Sequence, residues 1–194
     1  MTGVRRFAQW GLWFGGALVL LAAVLIGIDV LMRKFLDRSI GGADELAGYS
    51  LAIGTAWGLA AALLDRAHIR IDSLYVFFPQ KIRLALDALA LVLLVGFFAL
   101  VAWHGLGVVS QSWTSSSRSQ SALETPTVIP QALWIGGLAV FVVIGVLLLV
   151  QALRAGASGD LRGMAKLIST RSAEEEVEDE IRDLKDRQVR EGGN

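Results

Sequence analysis

The residues of this chain that can do chemistry are few, and they fall at the ends of long apolar runs. There is no cysteine, and the only histidines are His68 and His104. Without thiols there is no disulfide framework and no thiolate metal site. Haem ligation by two histidines needs both at one depth or on one side of a membrane. His68 and His104 fall at opposite ends of the apolar run over 84–106, so a bis-histidine cytochrome is excluded and a dimetal site lacks ligands. Among the carboxylates, Asp29 precedes Arg33 by four residues and Asp87 follows Arg83 by four, the spacing that puts two side chains on one helix face. Each pair reads as an interfacial ion pair rather than a ligand set for a transported ion. A proton-coupled exporter needs a carboxylate near the middle of a span, and no span offers one. Catalysis is not expected.

The elements that position these residues are membrane helices. The chain is 54% hydrophobic with a mean hydropathy of +0.56, and it contains four apolar runs long enough for the roughly 18 residues that a bilayer requires. The spans are expected over about 10–32, 46–64, 82–106 and 132–153, making residues 1–153 a four-helix membrane domain and 154–194 a tail. Arg5 and Arg6 before the first run suggest a signal peptide. That run, however, exceeds the roughly 7–15 residues of a signal core and no small-residue cleavage site follows it, so it reads as a retained first helix.

Between the first two spans, Gly41-Gly42 breaks the helix and Asp44 is placed to cap the next one. Within the second span Ser50, Gly54, Gly58 and Ala62 recur every fourth position, a stripe along which another backbone can approach closely. Gly11 and Gly15 offer a similar GxxxG pair in the first. A Ser/Thr-rich connection follows the third span, where Pro126 and Pro130 are expected to stop helix before the fourth. Trp10, Trp13, Trp103 and Trp134, near span ends, read as membrane-interface anchors.

The segment 64–83 joins the second and third spans. Asp72 or Ser73 can cap a short turn that groups Leu74, Tyr75 and Phe78, an interfacial segment with its aromatic face in the headgroup layer. In the tail, Leu161, Met164, Ala165 and Ile168 keep helical spacing and suit a membrane surface. Ser172 and Glu175 form a capping box before an acidic helix. Counting Lys and Arg near span ends gives ten on the side of the termini and central loop (Arg5, Arg6, Arg66, Arg70, Lys81, Arg83, Arg154, Arg162, Lys166 and Arg171) against four on the other (Arg33, Lys34, Arg38 and Arg118). The positive-inside rule therefore puts both termini in the cytoplasm. The fold class is all-α integral membrane, with four transmembrane helices and a cytoplasmic C-terminal helix.

Taken in order, Asp29-Val-Leu-Met-Arg33, Asp44-Glu45-Leu46, Trp57, and Arg66-x-His68-Ile69-x-Ile71-Asp72-x-Leu74 followed by Pro79 and Arg83 resemble the small membrane subunit of TRAP (tripartite ATP-independent periplasmic) transporters over about residues 5–153. Ala67 stands where that family often has glycine, and Asp44-Glu45 where it often has two glutamates. The resemblance implies a sodium-coupled uptake system for organic acids in a bacterial inner membrane. A periplasmic substrate-binding protein would deliver substrate to a large elevator-type permease subunit, and this chain would be the fixed scaffold beside it. Sodium is expected at the large subunit, with no cofactor in this chain, and the partners are that subunit, the binding protein and lipid, with no nucleic acid. Asp29, Arg33, Asp44, Glu45, Arg66, His68 and Asp72 are the structural or interface candidates. Either Asp44 or Glu45 is expected to tether the end of the first helix or to meet the docking binding protein. Two other readings are a free-standing four-helix channel or exporter, and a membrane anchor that recruits a partner through its tail.

Overall fold

The computed structural model describes residues 2–66, 78–169, Ile181 and Leu184. Five helices account for most of them: α1 Thr2–Leu36, α2 Ala43–Leu64, α3 Gln80–Thr114, α4 Val128–Ala157 and α5 Leu161–Ile168. The first four are long and apolar enough to cross a membrane. Each starts earlier or ends later than hydropathy alone suggests. Polar first and last turns remain helical, because their unpaired backbone N–H and C=O groups lie where water or loop groups can meet them. Pro130 illustrates this: it lies inside the first turn of α4, not ahead of it, where its missing N–H costs nothing. The charge-free part of α1, residues 7–28, is roughly 33 Å long at 1.5 Å per residue, close to the hydrocarbon thickness.

The four long helices form a row rather than a closed bundle. α1 packs on α2, α2 on α4 and α4 on α3, while α5 lies across the ends of α4 and α3. In a membrane, lipid tails are as apolar as leucine, so helices associate through close packing and interhelical hydrogen bonds. Small residues accordingly mark every crossing. The covered face of α1 runs Ala8, Gly11, Gly15, Leu18, Ala22, Leu25, Asp29, Met32, alternating steps of three and four as in a knobs-into-holes seam. At Gly15 the backbones of α1 and α2 nearly touch: an added Cβ would come within 2.6 Å of the Gly54 carbonyl oxygen. Gly137 brings α4 equally close to α2 at Ala56 and Trp57, and Gly145 receives Val95 of α3.

Trp57 ties three helices together. Its indole N–H donates to the Leu133 carbonyl of α4 at 2.9 Å, and its ring meets Phe14 of α1 edge-on at 5.8 Å. Phe141 and Phe98 join α4 to α3 at 4.8 Å between centroids. The apolar core gathers at the end of the row that carries the start of α1 and α5, around Ala60, Leu84, Leu91, Phe141, Leu148 and Ala152, and takes in Met164 and Ile168 of α5.

Candidate functional site

The polar groups collect at the two ends of the row. At the end bearing the α1–α2 and α3–α4 loops, Asp29 is the last polar member of the α1 seam and is 2% exposed. It faces protein, not lipid. Arg33, one turn on, meets it at 2.5 Å, and the loop returns over it, donating the Ile40 amide at 2.7 Å and the Ser39 hydroxyl at 2.9 Å. One carboxylate thus closes the turn between α1 and α2. Gly41 and Gly42 make that turn possible, with φ of 65° and 86°, a region glycine enters without steric cost.

The second loop locks onto the first. Across residues 115–127 the backbone folds back on itself, Ser119 N–H to Thr125 carbonyl at 2.9 Å and Thr127 N–H to Ser117 carbonyl at 3.1 Å. This places Leu123 against Gly42 so tightly that a Cβ there would lie 2.5 Å from its Cδ1. It also aims two hydroxyls at α2: Ser119 donates to Glu45 Oε2 at 2.9 Å, and Ser121 donates to the same oxygen in a shorter bond. Asp44 turns the other way. Its side chain is 82% exposed and lies 3.6 Å from the Arg33 guanidinium.

Asp44 makes no capping hydrogen bond. The N-cap of α2 is Gly42, and Asp44 sits in the first helical turn beside Glu45, where both carboxylates still favour the helix dipole. The tether to α1 comes from Asp44, through Arg33, while Glu45 serves the other loop. Nothing in the spacing of two adjacent acids separates these tasks, because only the position of the α3–α4 loop distinguishes the two faces.

At the opposite end the contacts join chain segments far apart in sequence. Arg5 of α1 donates to Asp65 at the end of α2 at 3.0 Å. Arg66 donates to the Ser169 carbonyl at 3.2 Å, and the Ser169 hydroxyl reaches Asp87 of α3 at 2.5 Å. Asp87 is 1% exposed, a buried joint beneath α5, and Arg83 Nε donates to the Phe78 carbonyl at 2.7 Å. The Asp160 side chain caps α5 by accepting the Gly163 amide at 2.8 Å. The spacing of Leu161, Met164, Ala165 and Ile168 suggests a helix lying on lipid. Met164 and Ile168 instead bury against the bundle, since the ends of α3 and α4 leave Leu84, Leu148 and Ala152 there to be covered.

Of the stripe on α2, Gly54 makes the intimate contact with α1, whereas Gly58 has room, the nearest atom to an added Cβ being Leu12 Cδ1 at 3.6 Å. Ser50 and Ala62 are half-buried on the same helix. Trp10, Trp13 and Trp103 stand exposed on the outer faces of α1 and α3. Trp134 turns inward, its ring against Gly105 of α3. Phe78 is half-buried. His68, Asp72, Tyr75 and the acidic helix of the tail lie outside the described residues. Among the described residues no three His, Cys, Asp or Glu side chains group as a metal site.

The fold and its polar ends define a multi-pass helical membrane protein whose charged groups mainly hold its own helices and loops together. No curated protein and no solved structure matches the chain. A family model does: residues 10–155 match the tripartite ATP-independent periplasmic transporters, DctQ component. The chain belongs to that family, the small membrane component of TRAP transporters, which is a family of transporter subunits and not of enzymes.

Proposed function

We propose that this chain is the fixed scaffold subunit of a sodium-coupled secondary transporter that takes up organic acids across a bacterial inner membrane. It packs beside a large elevator-type permease, and its loop end helps dock a periplasmic substrate-binding protein, with the termini in the cytoplasm. One observation carries this reading. Residues 7–28, 46–64, 88–113 and 129–153 contain no Asp, Glu, Lys or Arg, and Asp29 and Asp87 are engaged by the protein itself. Substrate and ion sites of secondary transporters sit near the midplane, usually on broken helices, and the four long helices described here are continuous. Meanwhile the outer faces of α1 and α3 present Leu20, Leu21, Leu31, Leu93, Phe97 and Leu100 uncovered, two apolar edges against which a larger membrane protein can pack.

The test is reconstitution. Vesicles holding the chain together with a large subunit and binding protein are expected to show sodium-dependent organic-acid uptake, while vesicles holding the chain alone give the flux of empty vesicles. Substrate-specific uptake by the chain alone would contradict the scaffold role and favour a free-standing transporter.

A further inference from the structure

The third helix carries a polar side chain where hydrocarbon offers it no partner. α3 continues to Thr114, ten residues beyond His104, so the histidine stands well inside the helix and not at its end. Within α3, residues 88–109 hold no charged or hydroxyl side chain, and their middle falls between Phe98 and Ala99. His104 is then about 8 Å from that middle at 1.5 Å per residue, inside the roughly 15 Å half-thickness of the hydrocarbon. Gly105 faces α4, where Ile135 fills the space beside it, and a helix turns about 100° per residue, so His104 lies off that contact. It is exposed, and among the described residues no hydrogen bond or ion pair engages it. Beside it the exposed face of α3 runs Leu93, Gly96, Leu100, Trp103 and Gly107, in the alternating steps of three and four that make a knobs-into-holes seam. Gly96 and Gly107 have open space where a side chain would stand.

We propose that this face of α3 is where the large membrane subunit packs, with His104 hydrogen-bonded to a polar side chain or a free backbone carbonyl on one of that subunit's helices. The inference rests on the scaffold role and selects one of the two apolar edges. Ionisable side chains inside a span almost always face protein or a water-filled cavity, because an imidazole in hydrocarbon leaves both its N–H and its ring acceptor nitrogen unsatisfied. The other edge makes no such demand: in α1, residues 10–28 contain no side chain more polar than tryptophan. Lipid tails satisfy that edge but not α3. Open glycines do not separate the two, since Gly16 of α1 is equally unobstructed; the histidine does. A second copy of the chain fits less well. A twofold pair built on α3 sets Trp103, 74% exposed, against its own image, which props the helices apart where Gly96 and Gly107 would let them close. A different partner can offer a notch for the indole, and tryptophans seated in pockets are frequent anchors of protein interfaces.

Affinity of the full chain for a large subunit in mild detergent, measured for matched variants, tests this. Gly96 and Gly16 have nothing beside them, so a leucine at either is expected to leave the thermal midpoint of the isolated chain unchanged. Gly96→Leu is expected to weaken the complex about tenfold or more, as overpacking of a close contact does, and Gly16→Leu to leave it as in the parent. His104→Leu is expected to weaken it about three- to tenfold, in keeping with interhelical hydrogen bonds in membranes, with His104→Gln recovering most of the loss. Because the chain has no cysteine of its own, Leu100→Cys carrying a benzophenone gives a single cross-linker on this face, and its product is expected to contain the large subunit. Loss of the complex in Gly16→Leu but not in Gly96→Leu overturns the choice of edge. Cross-linking only to a second copy or to lipid overturns the partner, and a His104→Leu complex as tight as the parent overturns the histidine contact. A parent chain that binds no large subunit at all contradicts the scaffold role itself, and the proposal with it.

Discussion

Asp44 and Glu45 are neighbours in sequence and opposites in environment. A helix turns about 100° per residue, so the first turn of α2 points one carboxylate outward beside Arg33 and the other inward to Ser119 and Ser121. Asp44 is thus the carboxylate exposed to a partner under the proposed docking role, while Glu45 holds the loop platform. Asp44→Asn is expected to leave assembly intact and to raise the binding-protein concentration needed for half-maximal uptake, more at low salt, where exposed charges are least screened. Glu45→Ala is expected to free the 115–127 loop, seen as faster amide exchange at Ser119 and Thr127, whose N–H groups bond within the loop. Binding-protein titration at two ionic strengths and hydrogen exchange separate these outcomes. An unchanged half-saturation for Asp44→Asn at both salts would remove it from the docking surface.

At the scale of elements, the crossing of α1 and α2 is decided by one glycine of the four-residue stripe. A Cβ at Gly54 would meet the Gly15 carbonyl oxygen at 2.9 Å and Val19 Cγ2 at 3.1 Å, whereas one at Gly58 meets only Leu12 Cδ1 at 3.6 Å. Backbone atoms cannot step aside as a side-chain tip can. Gly54→Ala is accordingly expected to destabilise by about 1–3 kcal/mol, the usual cost of overpacking, while Gly58→Ala stays within about 0.5 kcal/mol. Thermal unfolding of both variants in detergent checks the contrast, and equal midpoints would mean that α1 and α2 do not meet along this stripe. The Trp57 bond to Leu133 adds only modestly to this packing, since interhelical hydrogen bonds in membranes average about 0.6 kcal/mol.

For the whole molecule, the row architecture leaves its two outer helices half-clad and closes one end with α5. The short helix covers apolar ends of α3 and α4 and brings Ser169 to Asp87, so the membrane domain extends structurally to Ser169. A chain ending at Ser158 lacks α5, which uncovers Leu84, Leu148 and Ala152 at about 25 cal/mol for each Å² of apolar surface returned to water, and leaves Asp87 without its Ser169 partner. Its thermal midpoint is expected to fall. A chain ending at Ser169 is expected to keep the parent midpoint and to support uptake, with the remaining acidic tail dispensable. Equal midpoints for the two truncations would show that α5 does not brace the bundle, and loss of uptake by the longer one would favour an anchor that acts through its tail.

How much of this was legible in the sequence follows from what hydropathy measures. The four spans, the break at Gly41-Gly42, the Asp29–Arg33 pair and the family motifs are local properties: runs of apolar residues, backbone preferences and four-residue spacings each speak for themselves. Of the α1 seam only the Gly11–Gly15 pair was legible. In a membrane helix the lipid-facing and protein-facing residues are equally apolar, so Ala8, Leu18, Ala22 and Leu25 carry no contrast with Leu20 or Leu21 beside them. The same limit hid which glycine of the α2 stripe is critical, which of Asp44 and Glu45 faces solvent, and that the face of α5 meets protein instead of lipid. Those are pairwise facts: they exist only once a loop or helix distant in sequence arrives to fill the space, and the tertiary structure alone decides which one arrives.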